Sequence, residues 1–378
     1  MKREAGILAA LAAERRRADE FEQSLSWRIT APLRILSKAI RGSRPVAPAV
    51  DMDALLARLP DTEVLPPPIL DDGDAIRRAE WASNLQTYSG YVPDDLSLLT
   101  KYTDETVLPE PGFIVDFAGV RTRTSAVWEA AKIFDGHRLP LPIPGDFHAE
   151  TVEWIGLLKA VDAARDRFVM MELGAGFGPW VVAGGVAARF KGIKNIKLYA
   201  VEGDALHCDL MREHFSDNGF DQAEHSILCA AVGVEDGTAS WPKPGHDASN
   251  SHYNLRPVTD GADYMGRDFV EMVTVQMLAF DGLLKNEPVW DLIHIDIQGH
   301  EVDICRAAID SLNSRVRHIV VGTHSRKIDG DLLDLMKSAG WLLLNEKPAR
   351  FHFDVAAPTL EAMTFLDGTQ VWRNPRLS

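Results

Sequence analysis

The chain contains 378 residues, of which 46% are hydrophobic and 25% are charged. This composition is ordinary for a globular protein, and the length allows one large domain with an appendage or two domains. The formal net charge of −15 argues against general nucleic-acid binding, which requires a basic surface. No apolar run in the sequence approaches the ~20 residues that span a bilayer.

The cysteines give an expectation about the compartment. Cys208, Cys229 and Cys305 are far apart in the sequence and lack the spacing of metal ligands. Their number is odd and we find no secretory signal, so we expect buried or idle thiols in a reducing compartment. The protein is therefore predicted to be cytoplasmic.

Residues 1–44 predict a helical extension with a basic amphipathic part. Ser26–Arg44 carries basic residues and no acidic one, and Trp27 stands at its start. This pattern is typical of a helix that lies on an anionic membrane surface, which would place the protein at the inner face of the cytoplasmic membrane. Docking on the protein's own core and a contact between copies in a homo-oligomer are the alternatives.

Two further regions separate this extension from the first buried strand. Residues 45–70 are rich in proline and predict a linker. We expect residues 71–165 to form a cap over the substrate side of the site. His148 and Glu150 in this region either face a ligand or, more simply, lie at the surface or cap a helix. Helices are predicted at Asp74–Leu85, Val127–Phe134 and His148–Val161.

A glycine-rich turn between two apolar strands is the most informative stretch of the chain. Phe168–Leu173 predicts a buried parallel strand, and Ile196–Val201 predicts the next one. The turn reads Gly-Ala-Gly-Phe-Gly over residues 174–178, where glycine permits positive φ angles and the close approach of a ligand. The pattern predicts half of a nucleotide-binding α/β unit, with a helix at Val181–Arg189.

Two carboxylates flank this turn. Glu172 precedes the glycines, and Glu202 ends the second strand, where a carboxylate can accept hydrogen bonds from two ribose hydroxyls. The third glycine of the dinucleotide pattern is missing, and an acid directly before the turn would repel a pyrophosphate. The pattern therefore favours a cationic ligand, although an ordinary strand–turn–helix can also use glycine for packing.

The rest of the chain continues to alternate strands and helices. This alternation predicts a mostly parallel sheet with helices on both faces, in a domain that spans residues 166–378. Thr369–Trp372 is expected to close the sheet as an antiparallel edge. A polar stretch at Asn250–Asn254 is either a substrate loop or a plain loop. The other predicted strands are Ser226–Val234, Gly237–Trp241 (a short antiparallel addition), Val270–Leu278, Leu292–Ile297, Val316–Gly322 and Trp341–Asn345, with helices at Ala205–Phe215, Val302–Leu312 and Leu332–Ala339.

With these residues in place, the chain resembles the FkbM-type methyltransferase family. Four blocks match in the family's order, namely ELGAGFG with its glutamate-tipped second strand, AVGVEDG, VTVQMLAFDGLL and DLIHIDIQGHE. The family's last block usually reads close to I-K-x-D-V-E-G-x-E, whereas this chain has Ile297-Gln298 in place of Val-Glu. The next strand usually ends in E-x-H, and here Gly322 replaces the glutamate while His324 stays.

The resemblance covers about Phe168–Asn345. It implies a Rossmann-like class I methyltransferase fold with a seven-stranded sheet, S-adenosylmethionine as cofactor, and O-methylation, commonly of a sugar or natural-product hydroxyl. The string SWRxTxPLR at residues 26–34 also resembles a segment near the ends of bacterial polysaccharide-building transferases. We therefore expect a small-molecule or glycan acceptor from a bacterial surface polysaccharide or related glycoconjugate.

The resemblance also assigns cofactor roles. Glu172, Gly174, Gly176 and Gly178 would surround the amino-acid end of the cofactor, and Glu202 would bind the ribose. Asp204 and Val232 would lie near the adenine.

The acceptor side is assigned from the ends of the two following strands. We expect His324 to be the general base, because the ordinary pKa of histidine is near neutrality. Asp296 would orient it or bind the substrate, together with Glu301, and His294 is interpreted as a core histidine whose hydrogen bonds are satisfied. Asp296 with Glu301 or His324 could instead hold a divalent cation, but Gln298 removes a hard ligand, so no metal is expected.

Two other functions are compatible with the sequence. One is an NAD(P)-dependent oxidoreductase on the same sheet topology. The other is a non-catalytic scaffold for glycan assembly, in which the N-terminal helix recruits partners.

Overall fold

The computed structural model describes residues 89–243, 255–258 and 271–377. All of them belong to one compact unit. The predicted extension 1–44, the linker 45–70, the helix Asp74–Leu85 and the loop Asn250–Asn254 lie outside the described residues. None of the described helices combines the length and the apolar character that crossing a bilayer requires.

The strands of the described residues are numbered in chain order. They are β1 (Phe113–Val115), β2 (Arg121–Arg123), β3 (Arg167–Leu173), β4 (Asn195–Glu202), β5 (Ser226–Cys229), β6 (Ala231–Gly233), β7 (Gly237–Pro242), β8 (Met272–Ala279), β9 (Trp290–Ile295), β10 (Val316–Thr323), β11 (Leu342–Lys347), β12 (Arg350–Phe351), β13 (Thr364–Leu366) and β14 (Gly368–Arg373).

The helices are numbered in the same way. They are α1 (Leu96–Lys101), α2 (Thr151–Ala163), α3 (Pro179–Phe190), α4 (Ala205–Asp217), α5 (Phe280–Leu284), α6 (Glu301–Ala307), α7 (Ile309–Arg315) and α8 (Arg326–Ser338), with short 3-10 turns at Pro93–Asp95, Thr124–Ala126, Glu129–Phe134, Glu361–Met363 and Pro375–Leu377.

A seven-stranded sheet forms the centre of the unit, in the order β11-β14-β10-β9-β3-β4-β5. The run from β10 to β5 is parallel throughout, and β14 is antiparallel to both of its neighbours. Smaller sheets pair β1 with β2, β12 with β13, and β8 with β6 and β7. The predicted mostly parallel, seven-stranded α/β fold is confirmed.

Helices cover both faces of this sheet, because successive residues of a strand point to opposite sides. Phe168 and Met170 of β3 pack with α2, α3 and α4 in one buried cluster. Val169 and Met171 pack with α5 to α8 in the other. The central strands are therefore apolar on both sides, as a parallel sheet between two helical layers requires.

The position of β14 differs from the prediction. The stretch Thr369–Trp372 was expected at the edge, but β14 lies between β10 and β11. Val371 is fully buried and Trp372 is 2% exposed, whereas Leu342 and Leu343 of β11 are 43% and 42% exposed. The outer strand is therefore β11, and the burial of both faces of β14 explains its inner position.

The predicted strand Ser226–Val234 is broken in the structure. Its first part is β5, the outer strand beside β4, whose residues are half-buried or exposed. The chain leaves the central sheet at Ala230, and β6 pairs with β8 in the three-stranded sheet. The expectation of one buried strand is wrong, because β5 has a neighbour on one side only. The predicted antiparallel addition is confirmed as β7, which pairs with β8.

Helix boundaries also depart from the sequence pattern. The predicted helix Val302–Leu312 is divided into α6 and α7 at Ala308, whose ψ angle of 13° interrupts the helical path. The predicted helix Leu332–Ala339 is the second half of α8, which begins earlier because Ser325 caps it through a bond from the Ile328 N–H. The predicted helix Val127–Phe134 is a 3-10 turn at Glu129–Phe134.

The cysteines are not all unpaired. Cys208 on α4 and Cys229 at the end of β5 form a disulfide, so the expectation of idle thiols is wrong for this pair. Helix α4 begins directly after β4, and Glu202 at the end of β4 pairs with Cys229 at the end of the parallel strand β5, so the first turn of α4 lies beside Cys229. Cys305 is free and buried.

Candidate active site

A cavity of about 420 Å³ lies at the carboxyl ends of β3, β4 and β9. Open α/β sheets bind their ligands at this edge. One half is lined by the glycine turn, the tip of β4 and the small sheet. The other half is lined by side chains from the segment before β3, from the start of α3, and from β9 and the residues after it, namely Trp128, His148, Glu153, Trp180, His294, Asp296 and Gln298. We name it the acceptor half, for the role that we propose for it.

The glycine turn adopts the left-handed conformation that its composition predicts. The φ angles of Gly174, Gly176 and Gly178 are +73°, +52° and +76°. Gly174 and Gly176 line the cavity, whereas Gly178 caps the start of α3 and is not a lining residue. A Cβ atom on Gly174 would overlap with the carbonyl oxygen of Asp296, so the turn packs directly on the tip of β9.

Glu202 lies at the end of β4, and its side chain is fixed by backbone donors. The N–H of Gly176 donates to Oε2 at 2.8 Å, and the N–H of Asp204 donates to Oε1 at 2.7 Å. Burial raises the pKa of Glu202, while these bonds act in the opposite direction. Each oxygen keeps a lone pair that can accept a further bond in the cavity.

Glu172 also lines the cavity, and its carboxylate faces the first turn of α3. The N–H of Val181 donates to Oε2 at 2.7 Å, and the N–H of Trp180 lies 3.4 Å from Oε1. Burial raises the pKa of Glu172 well above its ordinary value. Both predicted carboxylates therefore border one cavity, with Glu172 against the helix and Glu202 at the tip of the next strand.

The two residues predicted near the adenine are placed differently. Val232 lines the cavity, as do Ala230 and Ala231. Asp204 is not a lining residue, and its Oδ1 caps α4 by accepting a bond from the Leu206 N–H at 2.7 Å. A contact between Asp204 and the cofactor therefore stays a prediction.

Three side chains form a relay at the ends of β9 and β10. The Nε2 atom of His324 lies 3.1 Å from Oδ1 of Asp296, and its Nδ1 atom lies 2.8 Å from Oε1 of Glu301. Glu301 is fully buried, His324 is 4% exposed, and only Asp296 reaches the cavity. The order from the interior to the cavity is Glu301, His324, Asp296.

The charges of this relay stabilise one another. Burial alone would lower the pKa of His324, but the charges of Glu301 and Asp296 outweigh it and raise that pKa well above its usual value. Burial alone would raise the pKa of Asp296, but the hydrogen bond and charge of His324 lower it below its ordinary value. At neutral pH the pair is therefore an imidazolium beside a carboxylate.

The structure places the predicted catalytic pair in a different order relative to the cavity. We expected His324 to face the acceptor as the base, with Asp296 either orienting it or binding the substrate. Instead, both ring nitrogens of His324 are bonded to carboxylates, and His324 is not a lining residue. Asp296 is the member of the relay that faces the cavity, because β9 lies nearer to the glycine turn than β10 does.

Comparisons with known proteins concern the family that this chain resembles. Residues 189–343 match the family model of the methyltransferase FkbM domain. A protein of Jannaschia sp. (strain CCS1) named "Putative methyltransferase" is 29% identical over 270 residues, which cover 71% of this chain and 94% of the relative. The resemblance to FkbM-type methyltransferases is confirmed.

Solved structures of two methyltransferases were also compared. The precorrin-6y C5,15-methyltransferase of Geobacter metallireducens GS-15 aligns over 60% of this chain and 89% of that chain, with 10% identity and a TM-score of 0.34. The O-methyltransferase of Bacillus cereus in complex with SAH aligns over 58% and 79%, with 12% identity and a TM-score of 0.33.

The departures from the FkbM-type pattern surround Asp296. Gln298 has a φ angle of +59°, which is unusual for a residue with a side chain, and its Nε2 donates to Oδ1 of Asp296 at 3.0 Å. Gly322 lies beside the same carboxylate, since a Cβ there would stand 3.5 Å from Cγ of Asp296. Where the family has two glutamates, this chain surrounds Asp296 with an amide donor and a glycine.

The interpretation of His294 as a core histidine with satisfied hydrogen bonds is wrong. It is 2% exposed, yet neither ring nitrogen has a hydrogen-bond partner among the described residues. It lines the acceptor half, where its ring lies 5.2 Å from that of Trp180. A signal was present, because His294 stands two residues before Asp296, and residues at this spacing share one face of a strand.

Two more residues that line the cavity were missed. Trp241 of β7 is 6% exposed, and its indole N–H has no partner among the described residues. Glu153 of α2 lines the acceptor half, and burial raises its pKa to about 8. The sequence gives no signal for either position, because both depend on how the cap and the small sheet pack on the cavity.

Among the described residues, the three side chains of the relay lie close enough together to hold a cation. Asp296, Glu301 and His324 each offer a ligand atom within 4.8 Å of the others. However, Oε1 of Glu301 already accepts bonds from the N–H groups of Ile297 and Gly299 as well as from His324. Oε2 of Glu301 is buried without a partner among the described residues, but a metal held by all three side chains would have to displace a ring proton of His324, so the observed hydrogen bonds favour the relay without a metal.

Proposed function

We propose that the protein is an S-adenosylmethionine-dependent O-methyltransferase that acts on a hydroxyl of a sugar or glycan. The acceptor would belong to a bacterial surface polysaccharide or a related glycoconjugate. The observation that carries the proposal is a carboxylate, Asp296, which faces a cavity shared with Glu202 and is kept ionised by a buried imidazolium.

The residues of the first half of the cavity suit this cofactor. Glu202 offers two oxygens, each with capacity for a ribose hydroxyl, and the turn at Gly174 and Gly176 lets a ligand approach the backbone. Val232 and Trp241 supply an apolar wall with an unpaired indole donor for a purine ring. When bound, S-adenosylmethionine supplies an electrophilic methyl group on a positively charged sulfur.

The position of Glu172 weighs against the oxidoreductase alternative. Dinucleotide folds bind a pyrophosphate at the N–H groups of the helix that follows the glycine turn. In this chain the carboxylate of Glu172 already accepts a hydrogen bond from the N–H of Val181 and faces the N–H of Trp180. A negatively charged ligand would therefore meet a carboxyl group where it needs free donors.

Asp296 is the residue that we assign to the acceptor's proton. Its Oδ1 accepts bonds from His324 and Gln298, which leaves Oδ2 available to a hydroxyl group in the cavity. A sugar hydroxyl is a weak nucleophile, so a base that removes its proton as the new bond forms is expected. Holding that oxygen in line with the methyl group supplies much of the remaining rate enhancement.

His324 and Glu301 act through Asp296. The imidazolium fixes Oδ1 by a hydrogen bond, and Glu301 fixes the imidazolium from the other side. Glu301 is itself held by the N–H groups of Ile297 and Gly299, at 3.2 Å and 2.9 Å. His324 is therefore a positioning residue in this proposal and not the base.

Product analysis tests the proposal. The full-length protein would be incubated with S-adenosylmethionine and candidate glycans, and the products would be examined by mass spectrometry. We expect an acceptor whose mass increases by one CH2 group, with S-adenosylhomocysteine formed in equal amount, and product formation that is about a hundredfold or more slower with Asp296→Asn. If calorimetry showed that the protein does not bind S-adenosylmethionine, the proposed function would be wrong.

A further inference from the structure

Two histidines of the acceptor half have ring nitrogens that the protein does not satisfy. Neither nitrogen of His294 has a partner among the described residues, and the residue is 2% exposed. Nδ1 of His148 is also without a partner there, and its side chain is 9% exposed. Buried polar groups are normally hydrogen-bonded, so these nitrogens indicate a ligand that supplies the bonds.

Both histidines lie against the same indole. The rings of His294 and His148 are 5.2 Å and 5.3 Å from that of Trp180. Asp296 follows His294 by two residues, directly after the end of β9, and its charge acts on the imidazole of His294. The unpaired nitrogens therefore belong to the acceptor half and lie near the carboxylate that we assign to the reacting hydroxyl.

Burial keeps both imidazoles uncharged at neutral pH. It lowers the pKa of His294 to about 4 and lowers that of His148, which the nearby Asp146 raises only in part. A neutral imidazole presents one N–H donor and one acceptor nitrogen. With both nitrogens of His294 unpaired, the cavity offers one donor and one acceptor at this residue.

The N–H donor and the acceptor nitrogen of His294 determine which chemical groups of a ligand can bind beside them. A hydroxyl group both donates and accepts, so it can satisfy either nitrogen. An ammonium group has no acceptor for the imidazole N–H, and a carboxylate or phosphate has no donor for the other nitrogen. An anionic group would also be repelled by the ionised Asp296 beside it.

We propose that His294 and His148 form a subsite for an uncharged polyol, which holds hydroxyl groups next to the one that is methylated. The acceptor portion in the cavity is then a neutral sugar rather than a uronic acid, an amino sugar or a phosphorylated sugar. This inference rests on the proposed function, because it describes the acceptor half of the same cavity.

Ligand binding can be measured without turnover. Saturation-transfer NMR on the full chain with S-adenosylhomocysteine would compare three sets of probes. They are the methyl glycosides of neutral hexoses and 6-deoxyhexoses, methyl glucosaminide, and methyl glucuronide. We expect the neutral glycosides to bind best, and His294→Leu to weaken their binding by about tenfold or more, since buried hydrogen bonds are lost.

His318 provides the matched control. It is a buried histidine on the neighbouring strand β10, but its Nδ1 lies 3.3 Å from the carbonyl of Asp291 and it does not line the cavity. His318→Leu should leave glycoside binding unchanged. His294→Asn, which keeps a donor and an acceptor, should bind more tightly than His294→Leu. If His294→Leu does not fold by circular dichroism, His148→Leu replaces it with the same expected loss.

Three results would overturn the subsite: no binding of any neutral glycoside, tighter binding of a charged probe, or equal binding by wild type and the folded histidine variants. Equal weakening by His294→Asn and His294→Leu would also exclude a hydrogen-bonding role. Failure of the proposed function is seen separately, as a lack of S-adenosylmethionine binding in calorimetry.

Discussion

Gly174 and Asp296 are packed so closely that a single added methyl group on Gly174 would overlap with the carbonyl oxygen of Asp296. The Asp296 N–H also donates to the carbonyl of Leu173, the residue before Gly174, at 2.9 Å. The turn that we assign to the cofactor and the tip that carries the proposed base therefore share one backbone contact. A displacement of either one moves the other.

We predict that Gly174→Ala abolishes cofactor binding and turnover. The substitution adds an overlap with Asp296 to the cost of a positive φ angle, which alone is about 1–3 kcal/mol of stability. Calorimetry with S-adenosylmethionine would measure the loss of cofactor binding, and urea unfolding would measure the loss of stability. Gly192→Ala is the control, because Gly192 has a φ angle of +95° but no heavy atom near its Cβ position. Normal cofactor affinity in Gly174→Ala would show that the turn is not where the cofactor binds.

Glu202→Ala is expected to lower the affinity for S-adenosylmethionine by about tenfold to a hundredfold, because bonds from hydroxyls to a charged acceptor are lost. Calorimetry provides the measurement. Glu235→Ala, at an exposed position after β6, should have no effect. An unchanged affinity in folded Glu202→Ala would remove this residue from the cofactor site.

His324→Gln should lower kcat and move the acidic limb of the kcat/KM profile to higher pH. The imidazolium lowers the pKa of Asp296, so its removal lets that pKa rise. Asp296→Asn should cost about a hundredfold or more in kcat, the usual contribution of a general base. If His324→Gln lowered kcat without moving the acidic limb, a role in holding Asp296 ionised would be contradicted.

The relay also predicts how stability depends on pH. The pKa of Asp296 is lowered on folding, so its contribution is complete above the unfolded pKa of about 4 and is lost in more acidic solution. The pKa of His324 is raised, so its contribution is complete below about 6.5 and is lost as pH rises through the folded value. Urea unfolding should therefore show the largest difference between wild type and His324→Gln between about pH 4 and 6.5. A difference that grew toward alkaline pH would rule out the imidazolium.

Chelation should leave the reaction unchanged. Both nitrogens of His324 are engaged by carboxylates and Oε1 of Glu301 already accepts several bonds, so a cation would compete with these bonds, and only the buried Oε2 of Glu301 lacks a partner among the described residues. Turnover would be measured after treatment with EDTA and again after Mg²⁺ or Mn²⁺ is added. Loss of activity with EDTA and its recovery with either ion would assign the relay to a metal.

Strand ends were the most predictable part of the site. Glu202 and Asp296 were placed correctly at the edge of the sheet, because the carboxyl ends of parallel strands meet there. The conformation of the glycine turn could also be predicted, because residues other than glycine rarely adopt its positive φ angles. These features follow from local sequence and from the rules of parallel sheets.

Features that depend on packing between distant segments could not be predicted. Whether His324 or Asp296 faces the cavity depends on which of two adjacent strands lies nearer to the glycine turn. An apolar strand pattern shows that His294 is buried, but it does not show that its nitrogens lack partners. The inner position of β14 was missed because an antiparallel strand can join a parallel sheet at an edge or between two strands.

The order of the site residues along the chain has a consequence for how such a protein diversifies. Trp128, His148 and Glu153 precede the glycine turn, whereas Glu202, which is assigned to the cofactor, follows it. The side chains that would recognise the acceptor are thus partly encoded upstream of those that would handle the methyl donor. Recombination at the start of β3 could exchange one sugar preference for another and leave the donor chemistry intact.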